Sequence, residues 1–208
     1  MKKPGCRKLN TFWEELAKEG DFNMYQTEHR DKAIDLLKEY KVKSVLDIGC
    51  GSGPNYKMIL DQGIDIKYKG TDVTHRWVDY CKKQWPDAEW EIQDVREIPE
   101  EDNSWDCLLL VHIIDHIKEH EKAIKELHRV TSRLVILDIW RPFTTTSDTR
   151  IQSRNEWGGK WEDTWLVTYN QKQLEDIFNK VGFEIIYTKN FPKCVKDHHS
   201  FVYVLRKI

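Results

Sequence analysis

Cysteines in this 208-residue chain are few and poorly placed for cross-linking: Cys6, Cys50, Cys81, Cys107 and Cys194 are widely spread, and no CxxC pair occurs. An odd count cannot close completely within one chain, and without paired short spacings neither a zinc ribbon nor a disulfide framework is expected. They read as reduced thiols of a cytoplasmic protein. Also missing is any apolar run near the roughly 20 residues of a membrane-spanning helix. Met1 to Cys6 lacks the apolar stretch of a secretory signal, so no membrane partner is expected. Charge of one sign is lacking too. Lys and Arg number 33 against 35 Asp and Glu, a net −2, and the signs alternate along the chain. Duplex nucleic acid calls for a clustered basic face, so that partner is not expected. No repeat, low-complexity stretch or Pro/Gly/Ser-rich linker divides the sequence, and 1–208 reads as a single domain.

What is present is an alternation of strand-like and helix-like segments, the pattern of βαβ units and a parallel sheet. Ser44 to Ile48 is a short apolar run ending in glycines. Asn55 to Asp61 reads as a helix with Pro54 in its first turn and Gly63 at its end. A second strand leads to Gly70, and Thr74 is placed to cap a helix running to Trp85. Ala88 to Ile92, Asp106 to Ile114 and Leu134 to Ile139 read as further strands. Between the last two, Ala123, Ile124, Leu127 and Val130 fall on one helical stripe. Asn170 with Gln173 opens a helix that Gly182 closes. Phe183 to Tyr187 and Ser200 to Leu205 would finish the sheet, joined by a loop that implies an antiparallel last strand. The expected fold is a doubly wound, Rossmann-like α/β sheet of seven mostly parallel strands with helices on both faces. Phe12 to Lys18 and Glu28 to Tyr40 form an expected helical cap over 1–41.

The strongest local signal is Asp47-Ile48-Gly49-Cys50-Gly51-Ser52-Gly53-Pro54-Asn55. A strand runs into glycines and then a helix, so a ligand can approach backbone that carries no Cβ, and the free N–H groups of the helix favour an anionic group there. A dinucleotide fingerprint would have its third glycine at position 54, where this chain has proline. Asp47 would repel a pyrophosphate but suits an ammonium or sulfonium. The loop therefore favours a zwitterionic, adenosyl-bearing ligand over a nicotinamide dinucleotide, although glycines here could also serve only a tight turn.

Asp47 to Gly53 resembles motif I of the class I S-adenosylmethionine-dependent methyltransferases, D/E-x-G-x-G-x-G. Downstream residues agree in order. Asp72, ending the second strand, resembles the acidic residue that takes both ribose hydroxyls, and a carboxylate can accept two such bonds. Asp94-Val95 resembles the pair that meets the adenine amino group and ring. His112-Ile113-Ile114-Asp115-His116-Ile117 with Glu121-Lys122-Ala123 resembles the family's H-V-L-E-H-I … E-K-A stretch, with Asp115 in place of the usual glutamate. The resemblance, which runs from about Glu28 to Gly182, implies S-adenosyl-L-methionine as cofactor and S-adenosyl-L-homocysteine as product. It implies a cofactor site of Asp47, Gly49, Cys50, Gly51, Gly53, Asn55, Asp72, Val73, Asp94, Val95 and Val111, and the N-terminal helices, closing the other side, would add Tyr25. Asp72 and Asp94 could also be solvated turn residues.

Methyl transfer from a sulfonium is a direct displacement, and in-line positioning supplies much of the rate. An acceptor hydroxyl or amine can require a base, for which histidine is suited near neutral pH. His112, at the carboxyl end of the fourth strand, and His116, one turn on, are the catalytic candidates, with structural hydrogen bonding the competing role for each. The N/D-P-P-Y/F sequence of nucleic-acid amino methylases and the proline-cysteine nucleophile of cytosine-C5 enzymes are absent. No carboxylate–histidine set has convincing metal spacing; Asp115 and His116 with Asp138 would suggest a cation-dependent catechol-type enzyme, but this is the weaker reading and no metal is expected. The long connection 141–169 reads as a lid or substrate insertion, with a hairpin turning at Gly158-Gly159. Arg150, Arg154, Trp157, Trp161 and Trp165, with His112 and His198, are the substrate-binding candidates. Flat faces beside positive charge suit an aromatic or sugar-like, acidic acceptor, though the tryptophans could equally pack the lid onto the sheet. The expected activity is methyl transfer to O or N of a small molecule. The alternatives are an RNA or protein acceptor, or a non-catalytic binder of the same cofactor. Oligomeric state is left open.

Overall fold

The computed structural model describes residues 27–140, 142–152, 164–195 and 198–208. Helix α1 (Glu28–Glu39) leads into strand β1 (Ser44–Ile48), helix α2 (Pro54–Asp61), β2 (Lys67–Asp72), α3 (His75–Gln84), β3 (Glu89–Ile92) and β4 (Trp105–Leu110). A short 3₁₀ turn (Ile114–His116) precedes α4 (His120–Val130) and β5 (Thr131–Ile139). The described chain then continues through β6 (Asp148–Gln152), β7 (Thr164–Thr168), α5 (Gln171–Val181), β8 (Phe183–Val195) and β9 (His198–Lys207).

Seven strands form one sheet in the order β3-β2-β1-β4-β5-β9-β8. Neighbours from β3 to β5 pair in parallel, whereas β9 runs antiparallel to both β5 and β8. This is the doubly wound sheet expected from the sequence. The chain builds outward from β1 to β3, then returns to lay β4 on the other side of β1. That reversal opens a crevice at the carboxyl ends of β1 and β4, the place where open α/β sheets bind ligands.

The central strands are mostly apolar because helices cover both faces, with Asp47 and Asp138 as buried exceptions. Side chains alternate along each strand, so Leu46, Leu108 and Leu110 enter one core while Val45, Cys107 and Leu109 enter the other. On the first face, α4 contributes the fully buried Ala123, Ile124, Leu127 and Val130, and α5 adds Leu174 and Phe178. Each of the larger side chains contributes about 1.5–3 kcal/mol by leaving water. On the second face lie Ala33, Ile34, Leu36 and Leu37 of α1, Ile59 of α2, and Val78 and Cys81 of α3.

Several boundaries differ from expectation. β4 stops at Leu110 rather than Ile114, because His112 adopts a left-handed φ of 62° that no strand can continue through. β8 and β9 are longer than their apolar cores. They pair with each other as far as Val195 and His198, with register shifts that hide the alternation, and Pro192 is tolerated because β8 is an edge strand. His198 and His199 therefore lie within β9, not before the strand. Thr74 occupies the N-cap of α3 without a side-chain capping bond. Asn170 does cap α5, its Oδ1 accepting from the Gln173 N–H at 3.1 Å, and Gly182 ends that helix at φ 106°. The reciprocal half of the expected box is missing, since the Gln173 Oε1 accepts instead from the Ser147 N–H.

β6 and β7 form a separate two-stranded antiparallel sheet. Its root is fastened to the 3₁₀ turn, where the Tyr169 hydroxyl donates to the Ile114 carbonyl at 3.0 Å. Tyr25, Arg154, Trp157, Trp161, the first expected helix and the Gly158-Gly159 turn lie outside the described residues.

Candidate functional site

Three features meet at the crevice: the loop after β1, the ends of β2 and β3, and the turn after β4. The loop is pinned to β2 by its backbone, with the Gly49 and Cys50 N–H groups both donating to the Thr71 carbonyl at 2.7 and 2.9 Å. Gly49 and Gly51 both have positive φ, but their surroundings differ. A Cβ on Gly49 would stand 2.1 Å from Cδ1 of Ile113, so this glycine lets the turn after β4 close onto the loop. Among the described residues, a Cβ on Gly51 would meet nothing within 4 Å. The open face at Gly51 is where a ligand can lie directly on the backbone.

Asp72 frames that face. Its Oδ2 accepts from the Gly51 N–H at 3.0 Å and its Oδ1 from the Thr74 N–H at 2.8 Å. A carboxylate is the group type that accepts from paired hydroxyls. Val73 beside it is half-buried. Asp94, after β3, is gripped by the Arg96 guanidinium fork, with Nη2 donating to Oδ2 at 2.6 Å and Nε to Oδ1 at 2.9 Å. Although burial opposes it, the Arg96 hydrogen bonds and charge hold the Asp94 carboxyl below its usual range. Val95 and Val111 are buried within the two cores.

Beneath the loop, Asp47 is completely buried, accepting from the Tyr68 hydroxyl at 2.6 Å and from Asn55 Nδ2 at 3.0 Å. Burial pushes its carboxyl up to about 6, against the pull of those two bonds and of Arg30. Asn55 Oδ1 in turn accepts from Arg30 Nη1 at 2.6 Å, so α1 is linked through α2 to β1. The buried Cys81 thiol donates to the Gly51 carbonyl at 3.3 Å, and burial holds the neighbouring Cys50 thiol well above its usual range.

The expected acceptor side is organised around His112. Its left-handed backbone is fixed by an N–H donated to Asp138 Oδ1 at 2.6 Å. Its ring lies against Trp140, with centroids 5.0 Å apart. Its Nε2 is turned toward His29 Nε2, within hydrogen-bonding reach, and toward Asp138 Oδ2 at 3.3 Å. His29 Nε2 is itself 3.5 Å from the same carboxylate oxygen. Burial lowers His29 to about 4 and raises Asp138 to about 7, and it holds His112 well below the usual imidazole value.

His116 has a different environment. Its Nδ1 is 3.1 Å from the Trp165 carbonyl, so the ring ties the 3₁₀ turn to β7. Trp165 is half-buried, with the Lys118 ammonium 4.4 Å from its ring centroid. Arg150 stands in β6, and His198 opens β9. Asp115 is buried, and its Oδ2 accepts from the Trp140 N–H at 2.7 Å.

Sequence reasoning missed His29 and Arg30, and it grouped Asp138 with Asp115 and His116, whereas the structure gives Asp138 to His112 and His29. His29 and His112 are 83 positions apart, and no spacing rule connects them. Asp138 did leave a signal: it is a lone carboxylate in the apolar run 134–139, and a buried charge demands partners.

Known proteins share this fold and part of this sequence. The family model described as "Methyltransferase domain" matches residues 46–137, the stretch from the glycine loop to the end of β5. A demethylmenaquinone methyltransferase of Thermotoga maritima is 24% identical over 130 residues, covering 61% of this chain and 57% of that protein. An ajmaline N-methyltransferase of Rauvolfia serpentina is 28% identical over 100 residues, covering 45% of this chain and 34% of the relative. The chain thus spans only about a third to just over half of these relatives' lengths. Among solved structures, a Burkholderia thailandensis 1,6-didemethyltoxoflavin-N1-methyltransferase with bound S-adenosylhomocysteine superposes with a TM-score of 0.75. It is 14% identical, with 100% of this chain and 91% of that chain covered. The fold is shared with this solved methyltransferase structure. Residues 46–137 are similar to the methyltransferase-domain family.

Proposed function

We propose that this chain, acting as a single domain, transfers the methyl group of S-adenosylmethionine to an oxygen or nitrogen of a small molecule. The observation that carries this reading is the unobstructed face of Gly51, framed by the Asp72 carboxylate and backed by the turn that carries His112. The bound cofactor supplies a methyl group on a sulfonium. Asp72 would receive its ribose hydroxyls, and Asp94 with Val73 would border its adenine. Asp47 and Asn55 would hold the loop and place a carboxylate beneath the cationic end. Val95 and Val111 would shape the floor from within the cores.

His112 lies on the acceptor side. Its Nε2 is already committed to His29 and Asp138, so it handles an acceptor proton only as part of that trio. Positioning does most of the remaining work, since an acceptor held in line about 3 Å from the methyl needs little covalent help. The relatives named above methylate small molecules by their names, which supports a small acceptor here. Arg150, Trp165 and His198 lie on strands that would border it. Among the described residues no helix is long and apolar enough to cross a membrane. The buried free thiols of Cys50, Cys81 and Cys107 fit a reducing, cytoplasmic setting.

The test is transfer of labelled methyl from S-adenosylmethionine to a panel of phenols, carboxylic acids and amines. Turnover with at least one small acceptor, falling on the order of 100-fold or more in His112→Ala, is expected. Cofactor binding with no turnover on any acceptor class would instead make the protein a binder; turnover on RNA or protein alone would move the acceptor class.

A further inference from the structure

The trio at the end of β4 has a geometry that proton handling alone does not account for. His29 comes from α1, His112 from the turn after β4, and Asp138 from β5, yet Nε2, Nε2 and Oδ2 converge within 4.8 Å of one another. A proton shared between the two imidazoles satisfies that pair; without it, all three atoms turn lone pairs on one point, the donor set a cation requires. His29 and Asp138 are 0% and 1% exposed, so bulk water does not compete for them.

We propose that His29 Nε2, His112 Nε2 and Asp138 Oδ2 form a binding site for one divalent transition-metal ion. Four-coordinate ions with bonds of about 2.0–2.1 Å separate their ligand atoms by roughly 3.3 Å. The two imidazole–carboxylate edges, 3.5 and 3.3 Å, already have that length. The imidazole–imidazole edge is shorter and opens slightly around an ion. Two nitrogens and one carboxylate oxygen suit zinc, iron(II), cobalt(II) or nickel(II) better than magnesium or calcium.

Neighbouring contacts hold the Asp138 carboxylate in place. Asp138 Oδ1 is held by the His112 N–H at 2.6 Å, and the Ser200 hydroxyl is 3.5 Å from Oδ2. The Thr27 hydroxyl lies 3.0 Å from His29 Nε2, the ligating atom itself, and would give up that contact to the ion. The Arg30 guanidinium, held by Asn55, acts electrostatically on both imidazoles and on Asp138. Its positive charge limits the site to moderate affinity. Three protein donors leave a coordination position open, the arrangement of catalytic rather than structural sites. His112 is the exposed member at 21%, so that position opens on the crevice. Resting on the methyl-transfer reading, this narrows the acceptor to an ionisable hydroxyl or carboxylic oxygen. On coordination the acceptor would release its proton to solvent and so present an oxyanion.

The direct test is titration of chelator-stripped full-length protein with cobalt(II), followed by visible d–d absorption and calorimetry. One equivalent is expected, with affinity reduced on the order of 100-fold in His29→Gln and Asp138→Asn. Far-UV circular dichroism checks that these volume-preserving variants fold, and zinc should raise the melting temperature of the wild type but not of either variant. Asp72→Ala should bind cobalt as the wild type does while losing S-adenosylmethionine. Cobalt binding without any S-adenosylmethionine binding by the wild type would sink the methyltransferase reading and leave the metal site standing. No stoichiometric uptake, or uptake unchanged in both ligand variants, overturns the proposal.

Discussion

Replacing Gly51 with alanine separates a glycine that serves a ligand from one that serves the fold. Gly51 has φ 53°, and an added Cβ meets nothing within 4 Å. Among the described residues the only internal cost is the left-handed backbone, about 1–2 kcal/mol for a residue with a side chain. For a chain of this size that is a loss of roughly 2–8 °C in melting temperature. Gly49→Ala carries the same kind of strain at φ 73° and also drives a methyl to within 2.1 Å of Ile113 Cδ1 and 2.5 Å of Cγ1. Overpacking of that kind adds about 1–3 kcal/mol. Gly49→Ala should therefore melt lower than Gly51→Ala, and Ile113→Ala added to it should recover part of the difference. Ligand binding should rank differently. Gly51→Ala, though the better folded, should lose at least about tenfold in S-adenosylmethionine affinity, because its methyl occupies the face the cofactor needs. Differential scanning calorimetry with isothermal titration reads both quantities. Wild-type affinity in Gly51→Ala would refute the placement of the ligand on this loop.

Two further substitutions probe the supports of the site. Asp47 titrates near 6 in the folded chain against an ordinary 3.8. The folded state thus keeps a proton that the unfolded state releases, and stability present below about pH 4 is lost as pH rises through 6. The loss is about 3 kcal/mol. Asp47→Asn should gain on the wild type by up to that amount between pH 4 and 8 in denaturant titrations, while binding S-adenosylmethionine more weakly; a pH-independent difference would contradict the burial argument. Asn170→Ala removes the cap of α5 and should cost about 1 kcal/mol, with cofactor affinity unchanged. A change in affinity would show that α5 communicates with the loop.

The sheet was legible because its signals are local. The run Val45 to Ile48, the stripe Ala123, Ile124, Leu127 and Val130, and the cap at Asn170 each lie within one element, and each forms where the pattern places it. The glycine loop was legible for the same reason, since strand, turn and helix are contiguous. Strand ends were less so. The left-handed turn at His112 depends on Asp138, 26 positions later, and the extension of β8 and β9 depends on their mutual pairing across register shifts. The trio around His112 was illegible from spacing, because its members come from three elements that only the folded sheet brings together. Here the fold changes the meaning of a candidate residue. His112 reads from sequence as a solitary base, and the structure surrounds it with a second imidazole and a buried carboxylate.

The measurement that bears most directly on the central claim is calorimetric titration of the purified chain with S-adenosylmethionine, S-adenosylhomocysteine and NADH, beside Asp72→Ala. Both adenosyl ligands should bind the wild type at one site, the variant should lose them, and NADH should give no heat of binding. Binding of NADH alone, or adenosyl binding that survives loss of the Asp72 carboxylate, would contradict the account of the crevice at β1 and β4.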